Sequence, residues 1–281
     1  MLSYRHGFHA GNHADVLKHL VLVHLLRHLA QKDKPFWCID THAGAALYAL
    51  DKGYAAKNAE YETGISRLWS RSDLPAPLAD YVAQVRSVNA DGALRCYPGS
   101  PQIALQLLRK QDRLRLFELH STESRLLEKY FRDVDHRVTV QAGDGFVGLQ
   151  SVLPPPSRRG LVLIDPSYED KDDYKHVLAA LRAGLQRFQT GVYALWYPQV
   201  QRRESVRFPE QLKGLQDKDW LHVSLAVKAP VAGGLGLHGS GMFILNPPWT
   251  LPDALGRVMP YLVKALGQDA AAEFDLEYEL A

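Results

Sequence analysis

The sequence predicts an α/β protein built on one mostly parallel, doubly wound sheet. Three observations lead there. Short apolar runs alternate with stretches of helical periodicity through most of the chain, which is the rhythm of βαβ units. Several of those runs end on an acidic residue, as at the ligand-binding edge of a parallel sheet. Near the C-terminus two runs, LHVSLAVK and GMFILNPPW, follow each other with no long helix between them, which predicts an antiparallel edge.

The elements follow in order. Residues 14–30 carry apolar residues at 16, 17, 20, 21, 25, 26 and 29, with Asn12 or His13 as the start and Asp15 in the first turn, so a helix is expected. PFWCIDTHAG reads as a strand ending on Asp40, then a tight loop entering a helix. Residues 48–96 hold helical stretches joined by SDLPAP and no apolar strand run, which predicts a small helical insertion. YPGSP is a turn leading into a helix that ends near Arg109. LRLFELH is a strand ending on Glu118, STESRLLEKYF a helix with a start resembling a capping box, and RVTVQAGDGF a strand ending on Asp144. LVLIDPSY, DYKHVLAALRAGLQRF and GVYALWYP supply the next strand, helix and strand.

A chain of 281 residues with this rhythm is one domain, residues 1–281, carrying the insertion. Hydrophobic residues make up 46% and charged residues 23%, enough to bury a large core. The net charge of +2 permits a nucleic-acid partner without requiring one. Cys38 and Cys96 are far apart, which argues against a disulfide framework or a zinc knuckle. The opening residues contain no secretory core, and Lys18, His19, Arg27 and His28 interrupt the longest apolar helix. A cytoplasmic protein with no membrane segment is expected.

Asp40, Glu118, Asp144 and Asp165 all fall at strand ends and would share one crevice; three of the four are expected to contact a ligand. Gly44 in DTHAGAA would let backbone approach that ligand. No G-x-G-x-x-G is present, so the dinucleotide fingerprint is absent. Glu118 stands where an acid accepts ribose hydroxyls. Asp165-Pro166-Ser167-Tyr168 is the sharpest signal. An exocyclic amine of a base is a poor nucleophile because its lone pair is delocalised. The Asp165 carboxylate and the Pro166 carbonyl would accept its two hydrogens, and Tyr168 would stack on the base. The same letters also suit a turn with Tyr168 packed on the core. Asn246-Pro247-Pro248-Trp249 has a similar pattern, but it follows a C-terminal strand that is not expected beside the Asp40 strand.

Six histidines crowd the first 28 residues, and His9/His13 and His24/His28 have the spacing of helical metal ligands. No carboxylate or cysteine set completes a site, so no metal is expected. Of the basic groups, Arg202-Arg203 follows the YALWYP strand and is the one best placed to hold phosphates beside the pocket.

YRH-FHAGNHADVLKH, DKPF, DTHAGA, YPGSP, DGF, SRRGL-LIDP-YE and TG-YALWYP together resemble the RlmJ family of bacterial 23S ribosomal RNA adenine-N6 methyltransferases. The resemblance extends over essentially the whole chain. It implies a Rossmann-like class I fold dependent on S-adenosylmethionine, with a seven-stranded, mostly parallel sheet, an antiparallel C-terminal strand and a helical insertion. It implies transfer of a methyl to N6 of an adenine in protein-poor 23S rRNA by a monomer. The cofactor pocket would use His19, His42, Ser100, Glu118, Gly143, Asp144 and Asp165; Asp165, Pro166 and Tyr168 would be catalytic, and Tyr4 would contact RNA. The usual motif of amino-methyltransferases is Asp/Asn-Pro-Pro-Tyr/Phe, and Ser167 departs from it. Two other readings remain: a DNA adenine methyltransferase, and a non-catalytic nucleic-acid-binding protein with this fold.

Overall fold

The computed structural model describes residues 6–132, 135–216, 219–231 and 236–281. Helix α1, His13–Ala30, is capped by the Asn12 side chain, which accepts from the N–H groups of Ala14 and Asp15. It buries residues on every face, because it lies between the sheet and a second layer of helices. Strand β1, Trp37–Asp40, then enters the sheet.

The next segment is a correction to the expected order. The loop after Asp40 does not enter a helix. It runs into a short strand, β2 (Leu47–Ala49), which pairs antiparallel with β3 (Cys96–Pro98). Between them lie helices α2 (Gly53–Asn58), α3 (Ser66–Trp69) and α4 (Ala76–Ser87). The helix that belongs behind β1 is α5, Ser100–Leu107, reached only after this insertion. The two halves of the interrupted loop still meet, since the Gly99 N–H donates to the Ala46 carbonyl at 2.9 Å.

The alternation then runs β4 (Arg113–Glu118), α6 (Ser121–Phe131), β5 (Val138–Ala142), α7 (Gly145–Val152), β6 (Gly160–Ile164), α8 (Asp173–Arg187), β7 (Val192–Gln199), α9 (Arg203–Lys213), β8 (Trp220–Ala226), β9 (Gly239–Leu245), α10 (Leu251–Leu266) and β10 (Glu273–Glu279). The capping box expected for α6 does not form: Ser121 is already helical and His120 caps without a side-chain bond.

The main sheet has eight strands rather than seven, in the order β10-β8-β9-β7-β6-β1-β4-β5. The five strands from β7 to β5 are parallel. Strand β9 inserts antiparallel between β7 and β8, and β10 adds antiparallel to β8 at the edge. The extra strand reads EFDLEYE. Its four acidic residues disguise the alternation of Phe274, Leu276 and Tyr278, and they suit an exposed edge that should not pair with another chain.

Both faces of the sheet are covered, so its central strands are apolar throughout. On β6, Leu161 and Leu163 join the core with α1 and α5, while Val162 and Ile164 join the core with α7 and α8. This register leaves Asp40, Glu118, Asp144 and Asp165 at or just past the carboxyl edge.

Candidate active site

Beneath that edge lies a cavity of about 300 Å³. Its wall is made by the loop after β1, the ends of β4 and β6, the start of α7, Gly99 and Ser100, and Lys18 and His19 from α1. Glu118 braces two of these pieces: its Oε2 accepts from the Gly44 N–H and its Oε1 from the His120 N–H, both at 2.7 Å. Gly44 has φ +59, so a side chain there would be strained. Asp144 caps α7 through Oδ1, which accepts from Phe146 and Val147. His42 sits edge-on to Phe146 at 4.8 Å, and burial lowers its pKa to about 4. Burial likewise lowers His19 to about 3, so both rings are neutral at pH 7. Nδ1 of His19 meets the Tyr97 hydroxyl at 2.7 Å, while its buried Nε2 has no hydrogen-bond partner.

Asp40 is the acid that does not line this cavity. It is buried behind it, accepting from the Ser100 hydroxyl at 2.6 Å and the His42 N–H at 3.2 Å. Burial raises its pKa to about 6, against the lowering effect of those two hydrogen bonds. The other three acids line the wall, as the sequence pattern predicts.

A second cavity, about 290 Å³, opens on the other side of Asp165. It lies between the N-terminal end of α1 and the ends of β6 and β7, and shares His6, Lys18, Asp165 and Ser167 with the first. At the junction the Lys18 ammonium donates to Asp165 Oδ2 at 2.6 Å and meets Asp15 Oδ1 at 2.9 Å. Asp15 Oδ2 in turn accepts from the Gly11 N–H at 2.9 Å and lies 3.0 Å from His6 Nε2. Burial opposes the charge on Lys18, but Asp15 and then Asp165 more than offset it, holding the ammonium above the usual lysine range. Asp15 stays well below the usual carboxylate range: burial works against it, and His6 and Lys18 outweigh that. Among the described residues, no donor reaches Asp165 Oδ1 or the Pro166 carbonyl.

Tyr168 walls the second cavity while being almost fully buried. Its backbone is left-handed, φ +54. Its N–H donates to Asp173 Oδ2 at 3.1 Å, its hydroxyl to the Trp196 carbonyl at 2.9 Å, and its ring lies 4.6 Å from Tyr174. Arg202 donates to the Tyr168 carbonyl at 3.2 Å.

Of the expected cofactor residues, His19, His42, Ser100, Glu118, Asp144 and Asp165 line the first cavity together. Gly143 does not; its neighbour Gly145 does. A Cβ on Gly145 would meet the Thr41 carbonyl at 1.9 Å, whereas one on Gly143 would meet nothing within 4 Å. Pro166 lines the first cavity and Tyr168 the second. Tyr4 lies outside the described residues. Sequence reasoning missed Lys18 and Asp15. Their signal was a charged pair, i and i+3, inside a helix otherwise apolar on the buried side. Asn246 ends an antiparallel strand, so it sits at the opposite edge, where its amide donates to the carbonyls of Gln189 and Gly191 at 2.7 and 2.6 Å. Of the histidines with metal-ligand spacing, His9 meets Glu60 and His24 meets Thr250.

A mostly parallel sheet with one antiparallel insertion, a cavity under its carboxyl edge and an Asp-Pro-Ser-Tyr loop between two cavities match the class I fold of methyltransferases that use S-adenosylmethionine. The chain belongs to the RlmJ family: the model described as "Ribosomal RNA large subunit methyltransferase D, RlmJ" matches residues 33–278. It is 46% identical over 279 residues to the ribosomal RNA large subunit methyltransferase J of Haemophilus influenzae, covering 99% of each chain. It is 49% identical over 262 residues to the Escherichia coli protein of the same name, covering 93% of each. A solved structure of a Legionella pneumophila protein superposes with a TM-score of 0.88 at 35% identity, over 96% of this chain and 98% of that one.

Proposed function

We propose that this protein transfers a methyl group from S-adenosylmethionine to the N6 amine of an unpaired adenine in protein-poor 23S ribosomal RNA. The first cavity takes the cofactor and the second takes the target base. The observation that carries this reading is the pair of free acceptors, Asp165 Oδ1 and the Pro166 carbonyl, at the junction of the two cavities. Two acceptors are what an exocyclic amine with two hydrogens needs to be held and turned toward a nucleophilic geometry.

The residues of the first cavity fit the cofactor. The lone pairs left on Glu118 can accept ribose hydroxyls, and Asp144, with one oxygen committed to α7, has another for the adenine amine. The orphaned Nε2 of the neutral His19 ring supplies a partner for the amino-acid end. Gly145 leaves room where any Cβ would collide with the Thr41 carbonyl. The bound cofactor supplies an electrophilic methyl on a sulfonium.

The chain's own residues then do the rest. Lys18 occupies only Oδ2 of Asp165, fixing the carboxylate's rotation while leaving Oδ1 toward the amine. Asp15 holds Lys18 from behind. Tyr168, locked through Asp173 and Trp196, fixes the loop that presents the Pro166 carbonyl. The base must leave its stack to reach this junction.

Methyl incorporation from labelled S-adenosylmethionine into protein-free 23S rRNA, assembled subunits and duplex DNA tests the reading, with mass mapping of the product. The expected result is one N6-methyladenine in free rRNA. Preference for duplex DNA would establish a DNA methyltransferase instead. No incorporation into any of the three, with no cofactor binding by calorimetry, would leave a binding protein.

A further inference from the structure

The second cavity has a wall that the methyl-transfer chemistry does not use. Along β7 and beyond, Trp196, Pro198, Val200 and Arg202 line it in succession. Strand β7 runs toward the carboxyl edge, so this wall climbs from the level of the Asp165 loop to the rim at Arg202. It is apolar up to its last member, which is a guanidinium.

Among the described residues lining this cavity there are two permanent cations, Lys18 and Arg202. Lys18 is committed to Asp15 and Asp165. The Arg202 guanidinium makes one hydrogen bond among the described residues, to the Tyr168 carbonyl, and none of the ion pairs among those residues involves it. A guanidinium has five N–H groups, so four are left over. The position is partly buried, which strengthens an interaction with an anion relative to open solvent. The residue is also the N-cap of α9, whose first turn has no side-chain cap. That helix end adds its positive dipole to the same rim.

An acceptor pair at one level, an apolar wall, then an unpaired guanidinium at the rim matches the order of groups in a nucleotide: amine, ring, phosphate. We propose that Arg202 is the phosphate ligand of this cavity. It binds a phosphate of the same adenosine whose base reaches Asp165. Through the Tyr168 carbonyl it couples that contact to the Asp165–Tyr168 loop. The inference rests on the second cavity being the target-base site. It makes Arg202 a positioning residue that acts on the loop and the backbone, never on the reacting atoms. Arg203 and Arg207 lie outside the cavity wall and serve as controls for general attraction to RNA.

The test uses the full-length enzyme methylating 23S rRNA, with adenosine, adenosine 5′-monophosphate and adenosine 3′-monophosphate as competitors. For the wild type, one of the two nucleotides should compete about ten- to a hundred-fold better than adenosine, the range of a charge-assisted hydrogen-bond pair. In Arg202→Gln that preference should collapse to within about three-fold, with KM for rRNA raised more than kcat is lowered. Arg202→Lys should retain part of it, because a point charge replaces the fork. Arg203→Gln should weaken rRNA binding and its salt dependence while leaving the preference intact. Equal weakening of nucleoside and nucleotide by Arg202→Gln would mean a purely structural brace and overturn the proposal. So would a wild type that does not prefer either nucleotide, or in which none of the three competes. Because every arm is read on an enzyme that methylates rRNA, these failures are distinct from failure of the methyltransferase reading itself.

Discussion

The Lys18 junction makes two aspartates trade places depending on what is measured. Consider Asp15→Ala and Asp165→Ala. Asp15 has 1% side-chain exposure and Asp165 14%. Truncating Asp15 strips an acceptor from three donors at once: the Lys18 ammonium, the Gly11 N–H and His6. Lys18 keeps Asp165, so the cost falls toward the low end of that for breaking a buried ion pair, about 3 kcal/mol. Truncating Asp165 leaves Lys18 with Asp15 and opens its other side to the two cavities, so about 1 kcal/mol is expected. With an unfolding entropy of about 2 cal/mol/K per residue, a chain this long has a slope near 0.6 kcal/mol/K. The melting temperature should then fall by about 5 K for Asp15→Ala and about 2 K for Asp165→Ala. Activity should rank the other way. Asp165→Ala removes an acceptor aimed at the amine, for a loss of at least about a hundred-fold in kcat. Asp15→Ala only loosens Lys18, for a loss of about ten-fold. The assays are thermal unfolding by circular dichroism and methyl incorporation into 23S rRNA well below both melting temperatures, with cofactor affinity checked by calorimetry. If the two orders coincide, or if Asp165→Ala keeps a tenth of wild-type activity, Asp165 is part of the scaffold and the catalytic assignment fails.

Three further outcomes are expected. Burial lowers the pKa of His13, His42 and His222 to about 4 and of His19 to about 3, so their contribution is present above about pH 6.5 and lost as pH falls. Asp40, raised to about 6, opposes them, its contribution being lost as pH rises from about 4 through 6. Four histidines gain a proton on unfolding at pH 5 and one aspartate loses one, a net uptake of about three, so the melting temperature should drop steeply between pH 6.5 and 5; a flat profile would contradict the buried neutral rings. Ser167→Pro removes no hydrogen bond of the Ser167 N–H among the described residues, only the long 3.4 Å bond that the Ser167 hydroxyl accepts from the Glu169 N–H, and Ser167 is not in the left-handed region. It should raise the melting temperature by about 1 K and leave methyl transfer equal or faster; a large loss of rate would show that the serine hydroxyl or N–H is used. Gly145→Ala should cut cofactor affinity by at least about ten-fold or prevent folding, whereas Gly143→Ala, strained by its φ of +154 but facing open space, should cost less; calorimetry with S-adenosylmethionine checks this, and the opposite order would refute it.

The parts of this site that were legible in the sequence are those set by local pattern. Strands that end on acids put Glu118, Asp144 and Asp165 on one edge, because parallel strands share a direction and their ends share a side. The same rule disposes of Asn246: its strand is antiparallel, so an equally good tetrapeptide faces away. What was hidden depends on long-range partners. Lys18 looks like a break in an apolar helix until its acceptor, 147 residues away, is known. The insertion conceals the helix that follows β1, since nothing local says that YPGSP resumes a loop begun at Thr41. Strand β10 was obscured because its charged face is the solvent-facing requirement of an edge, which outweighs its apolar alternation in any composition-based reading. Gly143 and Gly145 are indistinguishable by type, and only the approach of Thr41 separates them.

The position of Lys18 also bears on why, on the proposed reading, the carboxylate that meets the target amine is oriented from a distant segment. A carboxylate alone at the meeting point of two cavities would rotate, and either oxygen would serve either side. One oxygen engaged at 2.6 Å by an ammonium that is itself anchored at 2.9 Å to a buried acid makes the two oxygens inequivalent. Only then could the Asp165–Pro166 pair offer the fixed two-acceptor geometry that the proposed reading requires. The anchor has to come from outside the β6 loop, because a loop that must admit a base cannot also be the rigid body that orients its own side chain. Helix α1, packed on every face, is an anchor of this kind, with Asp15 and Lys18 both buried. That is the physical reason for a charged pair in its buried turn, and it ties the opening helix to the Asp-Pro-Ser-Tyr loop as one working unit.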